Sequence, residues 1–398
     1  MKKAILVINA GSSSIKFSVY VTEGENGCPL ENVLKGQVDG IDVAPRFVAR
    51  SSDGTAPESR EWSDPKTGRD ILMRHVLDRV RESMGGIPLK AAGHRVVHGG
   101  TEYDAPVIVD DAIMADLAAL APLAPLHQMH NLDPIRILGQ LHPDLAQVAC
   151  FDTVFHRTNP PEAQMYALPR VLTEEGVRRY GFHGLSYEYI ARALERTAPA
   201  LYQKRLIVAH LGSGASMCAL NGGKSVSNSF GFSTLGGLMM GTRPGTLDAG
   251  VILYLMQRKG MSGSDIERLL YRESGLLGVS SISNDMRYLE NNPDPHAMEA
   301  VRLFVYRAAV EMGALMTALG GIDGLIFTAG IGENSPRIRS MICERVREWT
   351  GIRLDEKANA TNAVTISATK SRIPVMVVPT DEELMIATHT LRLTTERG

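Results

Sequence analysis

The sequence contains few of the residues that build special covalent or electrostatic chemistry. It has four cysteines in 398 residues, and its formal net charge is only −2. The cysteines (Cys28, Cys150, Cys218 and Cys343) show no CxxC spacing, which argues against a disulfide framework or a zinc cluster and favours a reducing cytoplasm. The near-neutral charge gives no electrostatic reason to expect nucleic acid or an anionic membrane as a partner.

The sequence also lacks a hydrophobic run long enough to cross a membrane, which takes about 20 apolar residues. A hydrophobic content of 44% and a charged content of 22% are typical of a soluble globular protein. The length is sufficient for two domains with separate cores. Because no low-complexity segment interrupts the chain, we expect these domains to be joined by structured crossovers.

The first clear pattern is a strand, a turn of small residues and a second strand, within residues 5–20. Gly11 and three serines form the turn, Asn9 ends the first strand, and Lys16 lies in the second. Small residues let backbone N–H groups approach an anion, and a lysine adds positive charge. The pattern also fits an ordinary serine-rich hairpin, since a single short motif is weak.

The same pattern returns about half the chain later, in residues 206–220, with Gly212, Ser213 and Gly214 at the turn. One unit in each half predicts a duplicated, two-lobed protein with a phosphate-type turn on each lobe. A third glycine-rich turn, residues 329–336, follows an apolar strand. It opens a helix with Ser335 as N-cap and Pro336 as first residue, and helix N-termini favour anions.

Strands and helices alternate along the chain, so the predicted class is α/β. A strand is expected at 46–50 and another at 373–378, with a last helix from about 381. The expected helices are 70–84, 248–259 and a long apolar one within 295–319, which suits a large core or a subunit interface. Residues 264–267 read as a capping box for one more helix. The first of these helices should bury one apolar face, made of Ile71, Leu72, Val76, Leu77 and Val80.

One segment imitates a P-loop, namely Gly222-Gly223-Lys224-Ser225. The first glycine of that motif should stand five residues before Gly223, where this sequence has Cys218. We therefore interpret residues 220–223 as a hairpin turn and exclude a P-loop nucleotide site.

Polar residues cluster in four further glycine-rich or turn segments: 93–100, 151–156, 180–186 and 237–245. Arginine beside glycine suits a small anionic substrate, because the planar guanidinium binds carboxylate or phosphate through two hydrogen bonds. Taken singly, each such residue is more often a solvated loop residue or a satisfied core group. Likewise Thr380-Asp381-Glu382 is, on the residues alone, more simply a helix start capped by Thr380 than a carboxylate aimed at a metal.

Together these motifs resemble those of the acetate kinases, the acetokinase family. The segments that carry the resemblance run from residue 5 to 386 and begin with Asn9-Ala-Gly-Ser-Ser-Ser-Ile-Lys16 and His94-Arg95-Val-Val-His98-Gly-Gly. They continue with Phe151-Asp152-Thr153-Val-Phe155-His156, Tyr180-Gly-Phe-His183-Gly, Met240-Gly-Thr-Arg243, Gly330-Ile-Gly-Glu-Asn334 and Thr380-Asp-Glu382-Glu383-Leu-Met-Ile386.

The resemblance implies the duplicated, actin-like (ribonuclease H-like) fold with an active-site cleft between two lobes. It implies an N-terminal lobe of residues 1–151, completed by a C-terminal helix at about 383–398, and a C-terminal lobe of residues 152–382 that binds nucleotide. The implied reaction is reversible transfer of the ATP γ-phosphoryl group to acetate, giving acetyl phosphate and ADP, with Mg²⁺ or Mn²⁺. The family is homodimeric and cytoplasmic.

The resemblance also implies a role for each matching residue. The catalytic residues would be Arg95, Asp152, His183 and Arg243. Acetate would contact Arg95, Val97, Leu126, His127 and Phe182. The metal would be held by Asn9 and Glu382. ATP would contact Lys16, then His210, Leu211, Gly212, Ser213 and Gly214, then Asp285, Met286 and Arg287, and finally Gly330, Ile331, Gly332, Glu333 and Asn334.

This set agrees with the chemistry. Acetate is already ionised at neutral pH, so the reaction needs charge stabilisation and positioning more than a general base. Asp152 therefore has an open role, as an orienting or metal-linked carboxylate. We expect direct in-line transfer, with a phospho-enzyme as the alternative that the sequence leaves open. Two departures from the family pattern bear on specificity: Ser213 stands where asparagine is usual, and Thr234 where a proline usually borders the acyl pocket.

Three alternatives remain open. A propionate kinase would use the same machinery with a slightly larger pocket, since one methylene is worth roughly 1–3 kcal/mol there. A sugar or polyol kinase of the same fold would need a base for a neutral hydroxyl and would leave the arginine pair unexplained. An ATP-driven switch protein would hydrolyse ATP slowly and depend little on acetate.

Overall fold

The structure is a computed structural model that describes residues 2–23, 29–125 and 127–396. Cys28 and Leu126, which the sequence singled out, lie outside the described residues. The chain divides into two compact units: unit 1 is Met1–Val154 with Asp381–Gly398, and unit 2 is Phe155–Thr380. The first boundary follows Val154, so Asp152 belongs to unit 1.

The strands are short and alternate with helices, as an α/β class requires. In chain order the strands are β1 (Lys3–Ala10), β2 (Ser14–Thr22), β3 (Glu31–Asp39), β4 (Arg46–Ser51), β5 (Glu58–Glu61), β6 (Leu89–Val96), β7 (Val107–Ile108), β8 (Ala146–Phe151), β9 (Arg205–Leu211), β10 (Ala215–Asn221), β11 (Lys224–Asn228), β12 (Gly324–Thr328) and β13 (Val375–Val377).

The helices include two 3₁₀ turns, Ala121–Leu123 and Val154–Thr158. The α-helices are α1 (Arg69–Ser83), α2 (Asp111–Ala119), α3 (Gln128–Leu141), α4 (Pro161–Gln164), α5 (Arg170–Glu174), α6 (Gly184–Thr197), α7 (Pro199–Tyr202), α8 (Ala249–Gln257), α9 (Gly263–Arg272), α10 (Gly275–Ser280), α11 (Met286–Leu289), α12 (Pro295–Leu319), α13 (Ala329–Asn334), α14 (Pro336–Thr350), α15 (Glu356–Ala360) and α16 (Glu382–Thr395).

Each unit is built on one mixed β-sheet, and the two sheets share a topology. The sheet of unit 1 has the order β5-β4-β3-β2-β1-β6-β8-β7, and the sheet of unit 2 the order β11-β10-β9-β12-β13. In each, a first strand pairs antiparallel with the second and parallel with a later strand: β1 with β2 and β6, and β9 with β10 and β12. The predicted α/β duplication is thereby confirmed.

The central strands are buried because helices cover the sheets. Ile5, Leu6, Val7 and Ile8 of β1 are at most 1% exposed, which explains why the strand is a continuous apolar run rather than an alternating one. In unit 1, α16 packs on β1, β6 and β8. Gly93 of β6 permits this contact, since a Cβ there would meet the Ile386 and Thr390 side chains at 2.6 and 2.2 Å.

Both predicted hairpins, β1-β2 and β9-β10, are confirmed. Residues 222–225 belong to a third hairpin, β10-β11, and not to the strand-to-helix turn of a P-loop. Gly222 and Gly223 form the turn between β10 and β11 with φ angles of 54° and 73°. Such positive values suit the two-residue turns that join antiparallel strands. Lys224 then lies exposed at the start of β11.

Four local expectations need correction. The capping box is formed by Ser262 and Asp265, two residues before the one predicted, because Ser262 is the serine whose side chain accepts from the N3 amide. The N-cap of α16 is Asp381, whose carboxylate accepts from Leu384 N, and not Thr380. Ile71 is half exposed, and Met73 takes its place on the buried face of α1. Residues Ala329–Asn334 are a short helix rather than an open turn, although Ser335, Pro336 and Gly351 bound α14 as predicted.

No helix among the described residues is long and apolar enough to span a membrane. Cys150, Cys218 and Cys343 are buried, and no disulfide links these three described cysteines.

Candidate active site

Four residues that are far apart in the sequence come together in unit 1. Asn9 ends β1, Arg95 lies in β6, Asp152 follows β8, and Glu382 opens α16. The Arg95 guanidinium donates to both oxygens of Asp152, at 3.0 and 2.5 Å, and its third nitrogen donates to Asn9 Oδ1 at 3.3 Å. Glu382 Oε2 lies 3.8 Å from Arg95 Nε. We call these four residues the Arg95 cluster.

Burial makes the charges of the Arg95 cluster interact strongly. The Asp152 side chain is 1% exposed and that of Glu382 16%. Burial raises the pKa of Glu382 to about 7, and Arg95 offsets part of this rise. For Arg95 itself burial acts to lower the pKa, but Asp152 and Glu382 outweigh it and hold the pKa above its usual value. Arg95 is therefore a fixed cation with one face committed to Asp152.

The structure describes three other predicted residues of unit 1: Lys16 in β2, Val97 directly after β6 and His127 directly before α3. Lys16 of β2 stands directly opposite Asn9 of β1 in the hairpin register, and its charge acts to lower the pKa of Glu382. Val97 is buried, and its N–H donates to Asn131 Oδ1 at 2.9 Å. His127 precedes α3 as its N-cap residue. Asn131, which also donates to Ala10 O, was missed because a lone asparagine in a helix gives no sequence signal.

In unit 2 two predicted histidines stack on one another. The rings of His183 and His210 have centroids 4.1 Å apart and an interplanar angle of 24°. His183 Nδ1 lies 2.9 Å from Ser216 Oγ, and His210 Nδ1 lies 2.8 Å from Ser186 Oγ. Each ring is thus oriented by a serine hydroxyl, and these two serines were not among the predicted site residues.

Arg243 lies beside His183, at the turn between β9 and β10. A Cβ built on Gly214 would meet Arg243 Nη2 at 3.0 Å and His183 Nε2 at 3.4 Å, so both side chains lie against the turn of the second hairpin. Arg243 Nη1 also donates to the carbonyl of Thr234 at 2.8 Å. The residue at which the sequence departs from the family's proline therefore holds the arginine through its backbone. Phe182 is buried beside this turn region, edge-on to Phe230.

A cavity of about 470 Å³ lies where three predicted segments of unit 2 meet. We call it the glycine-turn pocket, and it is lined by Gly212, Ser213, Asn284, Asp285, Met286, Arg287, Glu290, Gly330, Ile331, Asn334 and Ser335. The volume suits a small-molecule site. Eight of these residues were predicted, and Asn284, Glu290 and Ser335 were not. Two of these three are joined by a hydrogen bond, since Ser335 Oγ donates to Glu290 Oε2 at 2.5 Å.

Some predicted nucleotide residues do not line this pocket. Leu211 is fully buried in β9. The Gly332 carbonyl accepts from the buried Arg339 at 2.8 Å. Glu333 Oε1 accepts from two backbone amides, Ala329 N at 2.8 Å and Thr380 N at 3.2 Å. These residues support the pocket rather than face it.

The donor atoms of the Arg95 cluster suit magnesium in type. Mg²⁺ prefers oxygen ligands, keeps several waters, and is often held by one or two carboxylates together with substrate phosphates. Asn9 and Glu382 supply an amide and a carboxylate oxygen, while both oxygens of Asp152 are taken by Arg95. Within the described residues there is no group of three or more His, Cys, Asp or Glu side chains that forms a complete metal site.

Two sheets of one topology, each with a small-residue hairpin turn, define the duplicated fold of the actin-like ATPases. The chain belongs to the acetokinase family: the model of that family matches residues 4–388.

Relatives of known name agree with this assignment. The chain is 52% identical to an acetate kinase from Nitrobacter hamburgensis, over 99% of this chain and 97% of the relative, and 50% identical to one from Rhodopseudomonas palustris, over 99% of each. Its structure resembles an acetate kinase from Porphyromonas gingivalis (TM-score 0.86, 35% identity, 98% and 100% covered) and a propionate kinase from Francisella tularensis (TM-score 0.90, 33% identity, 98% and 99% covered).

Proposed function

We propose that this protein is an acetate kinase, which transfers the γ-phosphoryl group of ATP to acetate and catalyses the reverse reaction. The observation that carries the proposal is the Arg95 cluster, a part-buried arginine set among oxygen ligands, in a chain about 50% identical to named acetate kinases over nearly its full length. Acetate is an anion, so its recognition calls for a fixed cation rather than a base.

In unit 1, we assign acetate binding to Arg95, Val97, Leu126 and His127. Asp152 holds two nitrogens of the Arg95 guanidinium and thereby fixes the direction of the remaining N–H groups. An Arg–carboxylate fork of this kind restricts the cation to one geometry. Asp152 is then an orienting carboxylate, since an ionised nucleophile leaves it no proton to remove.

In unit 2, we assign phosphoryl stabilisation to His183 and Arg243, and nucleotide binding to the glycine-turn pocket. Ser216 fixes the His183 ring, and the Thr234 carbonyl fixes Arg243. Preorganised donors of this type stabilise the charge that develops on phosphoryl oxygens in the transition state. We also assign Phe182 to the apolar contacts of the methyl group. Lys16, which belongs to unit 1, is assigned to the phosphates.

We assign Mg²⁺, or Mn²⁺ in its place, to Asn9 and Glu382. The bound ion would neutralise charge on the ATP phosphates. The protein would supply two oxygen ligands to the ion. Both oxygens of Asp152 accept hydrogen bonds from Arg95. The phosphoryl group then passes directly from ATP to the acetate oxygen.

The test is trapping of acyl phosphate by hydroxylamine, with Mg-ATP and acetate. We expect hydroxamate from the wild type, none from Arg95→Ala, and a normal yield from Arg74→Ala, which removes an exposed arginine of the same unit. Because Arg95→Ala leaves Asp152 buried without its partner, Arg95→Lys serves as a second variant that keeps the charge. Folded wild-type protein that binds ATP and yields no hydroxamate would overturn the proposal.

A propionate kinase is the second candidate, favoured by the structural match to the Francisella tularensis protein. The ratio of kcat/KM for acetate to kcat/KM for propionate decides between them. We expect acetate to be preferred, and a preference for propionate above about tenfold would reverse the assignment.

We further propose that the protein is a cytoplasmic homodimer. The long helix α12 exposes Met298, Leu303, Tyr306 and Val310, although its opposite face is buried. A helix with apolar residues on both faces suits a subunit interface. The three described cysteines form no disulfide, which agrees with a reducing compartment.

A further inference from the structure

Unit 2 has a second cavity, of about 870 Å³, between α14 and the two segments that follow it. Its lining combines cationic, polar and apolar side chains, and we call it the arginine cavity. The lining residues with charge are Glu344, Arg345, Arg347, Arg353, Glu356 and Lys370. It shares no lining residue with the glycine-turn pocket.

Positive charge is in excess in the arginine cavity, with four cations against two carboxylates. One pair is internally satisfied, because Arg347 Nη1 donates to Glu344 at 3.2 Å. Arg347 Nε, however, is buried without a hydrogen-bond partner. A buried donor of this kind is costly unless an acceptor reaches it.

The remaining cations are not neutralised by ion pairs. Within the described part of the chain, no ion pair involves Arg345, Arg353 or Lys370. The Arg345 guanidinium lies 5.4 Å from the centroid of the Tyr306 ring, which fixes its position while it keeps its charge and N–H donors.

The floor of the cavity is apolar. Val305 and Ile352 are 1% exposed, and Met341 and Leu354 extend the same surface. Pockets for small organic molecules combine such an apolar lining with a few placed polar groups. Cys343 also lines the cavity, but burial raises the pKa of its thiol to about 12, so it contributes an apolar contact and no nucleophile.

We propose that the arginine cavity binds a small organic anion, in which a carboxylate, sulfonate or phosphate group is joined to an apolar body. The anionic group would contact Arg353 and Lys370, and the apolar body would lie on Ile352 and Leu354. The site is on the helix whose N-cap, Ser335, lines the glycine-turn pocket. A ligand here would therefore lie along the middle and the later turns of α14, and a ligand in the glycine-turn pocket would lie at its N-cap.

The experiment is a fluorescence titration of the full chain with 8-anilinonaphthalene-1-sulfonate, an aryl sulfonate, in the presence of saturating ADP. We expect binding by the wild type. We expect the double variant Arg353→Gln/Lys370→Gln to bind at least about tenfold more weakly, because both cations that face the anion are lost. The matched control is Arg258→Gln/Lys357→Gln, which removes the same charge from exposed positions outside the cavity and should bind as the wild type does.

Three results would overturn the proposal. The first is equal binding by the two double variants, which would make the attraction a matter of net charge. The second is probe binding that is seen without ADP and is lost at saturating ADP, which would place the probe in the glycine-turn pocket. The third is probe binding that follows the oligomeric state in sedimentation velocity, which would make the face an interface between copies of the chain. Thr369→Trp, which fills the cavity without changing the charge, should also weaken probe binding.

Discussion

Arg95 shows how neighbouring side chains fix the orientation of one arginine. Arginine is always charged, but its planar fork selects a substrate only when its orientation is fixed. Here Asp152 takes two of the donors and Asn9 a third. The acid is almost completely buried, so the pair is screened little by water.

Asp152→Asn should therefore weaken both the fold and the activity. A buried ion pair that loses one partner costs about 3 kcal/mol, because the other charge stays buried. We expect a loss of about that size in the free energy of unfolding, measured by urea denaturation, together with a rise in KM for acetate.

The control for this prediction is an exposed ion pair. Glu188→Gln removes the partner of Arg192 at i, i+4 on α6, where the two atoms are 2.7 Å apart. Exposed pairs of this type contribute less than about 1 kcal/mol. Equal losses in the two variants would show that Asp152 does not hold a buried charge.

Three buried histidines should make stability depend on pH. Burial lowers the pKa of His94, His98 and His156 to about 4, from an ordinary value of 6.5. Between these values the unfolded chain binds more protons than the folded protein does. The free energy of unfolding should therefore fall as the pH is lowered from 6.5 toward 4, and stay steady above that range.

His94→Gln isolates one of these contributions. A pKa difference of this size accounts for about 2 kcal/mol between pH 7 and pH 5. Urea denaturation of the variant should therefore show a loss smaller by about that amount over the same interval. If wild type and variant lose equal stability, then His94 is not held neutral by burial.

At the scale of the element, the short helix α13 depends on a side chain at its own end. Ala329 starts the helix with a φ of 63°, a left-handed conformation that costs a non-glycine residue of order 1 kcal/mol or more. Glu333 offsets this cost, since its carboxylate accepts from the amides of Ala329 and Thr380. The backbone of the glycine-turn pocket is held from within unit 2 by this carboxylate.

Glu333→Ala should loosen that backbone and raise KM for ATP about tenfold, with KM for acetate nearly unchanged. Glu333→Gln keeps one oxygen acceptor and should recover much of the loss. Steady-state kinetics with each substrate varied in turn measure the difference. Glu348→Ala, at an exposed position of α14, is the control, and an equal rise in both KM values in Glu333→Ala would indicate general destabilisation instead.

At the scale of the whole molecule, the exposed face of α12 predicts how copies of the chain associate. Val310 is 50% exposed on a helix whose other face is core. A charge placed there would have to be desolvated in an interface. Val310→Glu should therefore shift sedimentation velocity toward the monomer at concentrations where the wild type is a dimer.

Val364→Glu is the matched control, because Val364 is 62% exposed in the same unit but lies outside α12. It should sediment as the wild type does. A wild type that is monomeric throughout, or a Val310→Glu variant that remains dimeric, would remove α12 from the interface.

The fold could be predicted from the sequence because its signals are local. An apolar run, a turn of small residues and a second run specify a hairpin whatever surrounds them, and Ser335, Pro336 and Gly351 bound a helix by backbone chemistry alone. The N-cap residues of helices were harder to predict from the sequence. Ser262 and Ser264 both suit an N-cap, and only the actual hydrogen bond, to Asp265 N, distinguishes them.

The candidate site could be predicted only in part, and from family motifs rather than from local signals. Arg95, Asp152, His183 and the glycine turns were predicted because they match the motifs of a family, and their roles stay predictions. Ser216, Asn131 and Glu290 were missed, since their contribution is a single hydrogen bond or a place in a pocket lining that no local pattern encodes.

The sequence by itself determined which segments become strands, turns and helices, because those choices depend on neighbours along the chain. Only the tertiary structure decided that Asn9, Arg95, Asp152 and Glu382 share one buried cluster. The physical reason is that charge pairing and burial depend on distances in space, and these are set when parallel strands place their ends side by side and α16 packs over them.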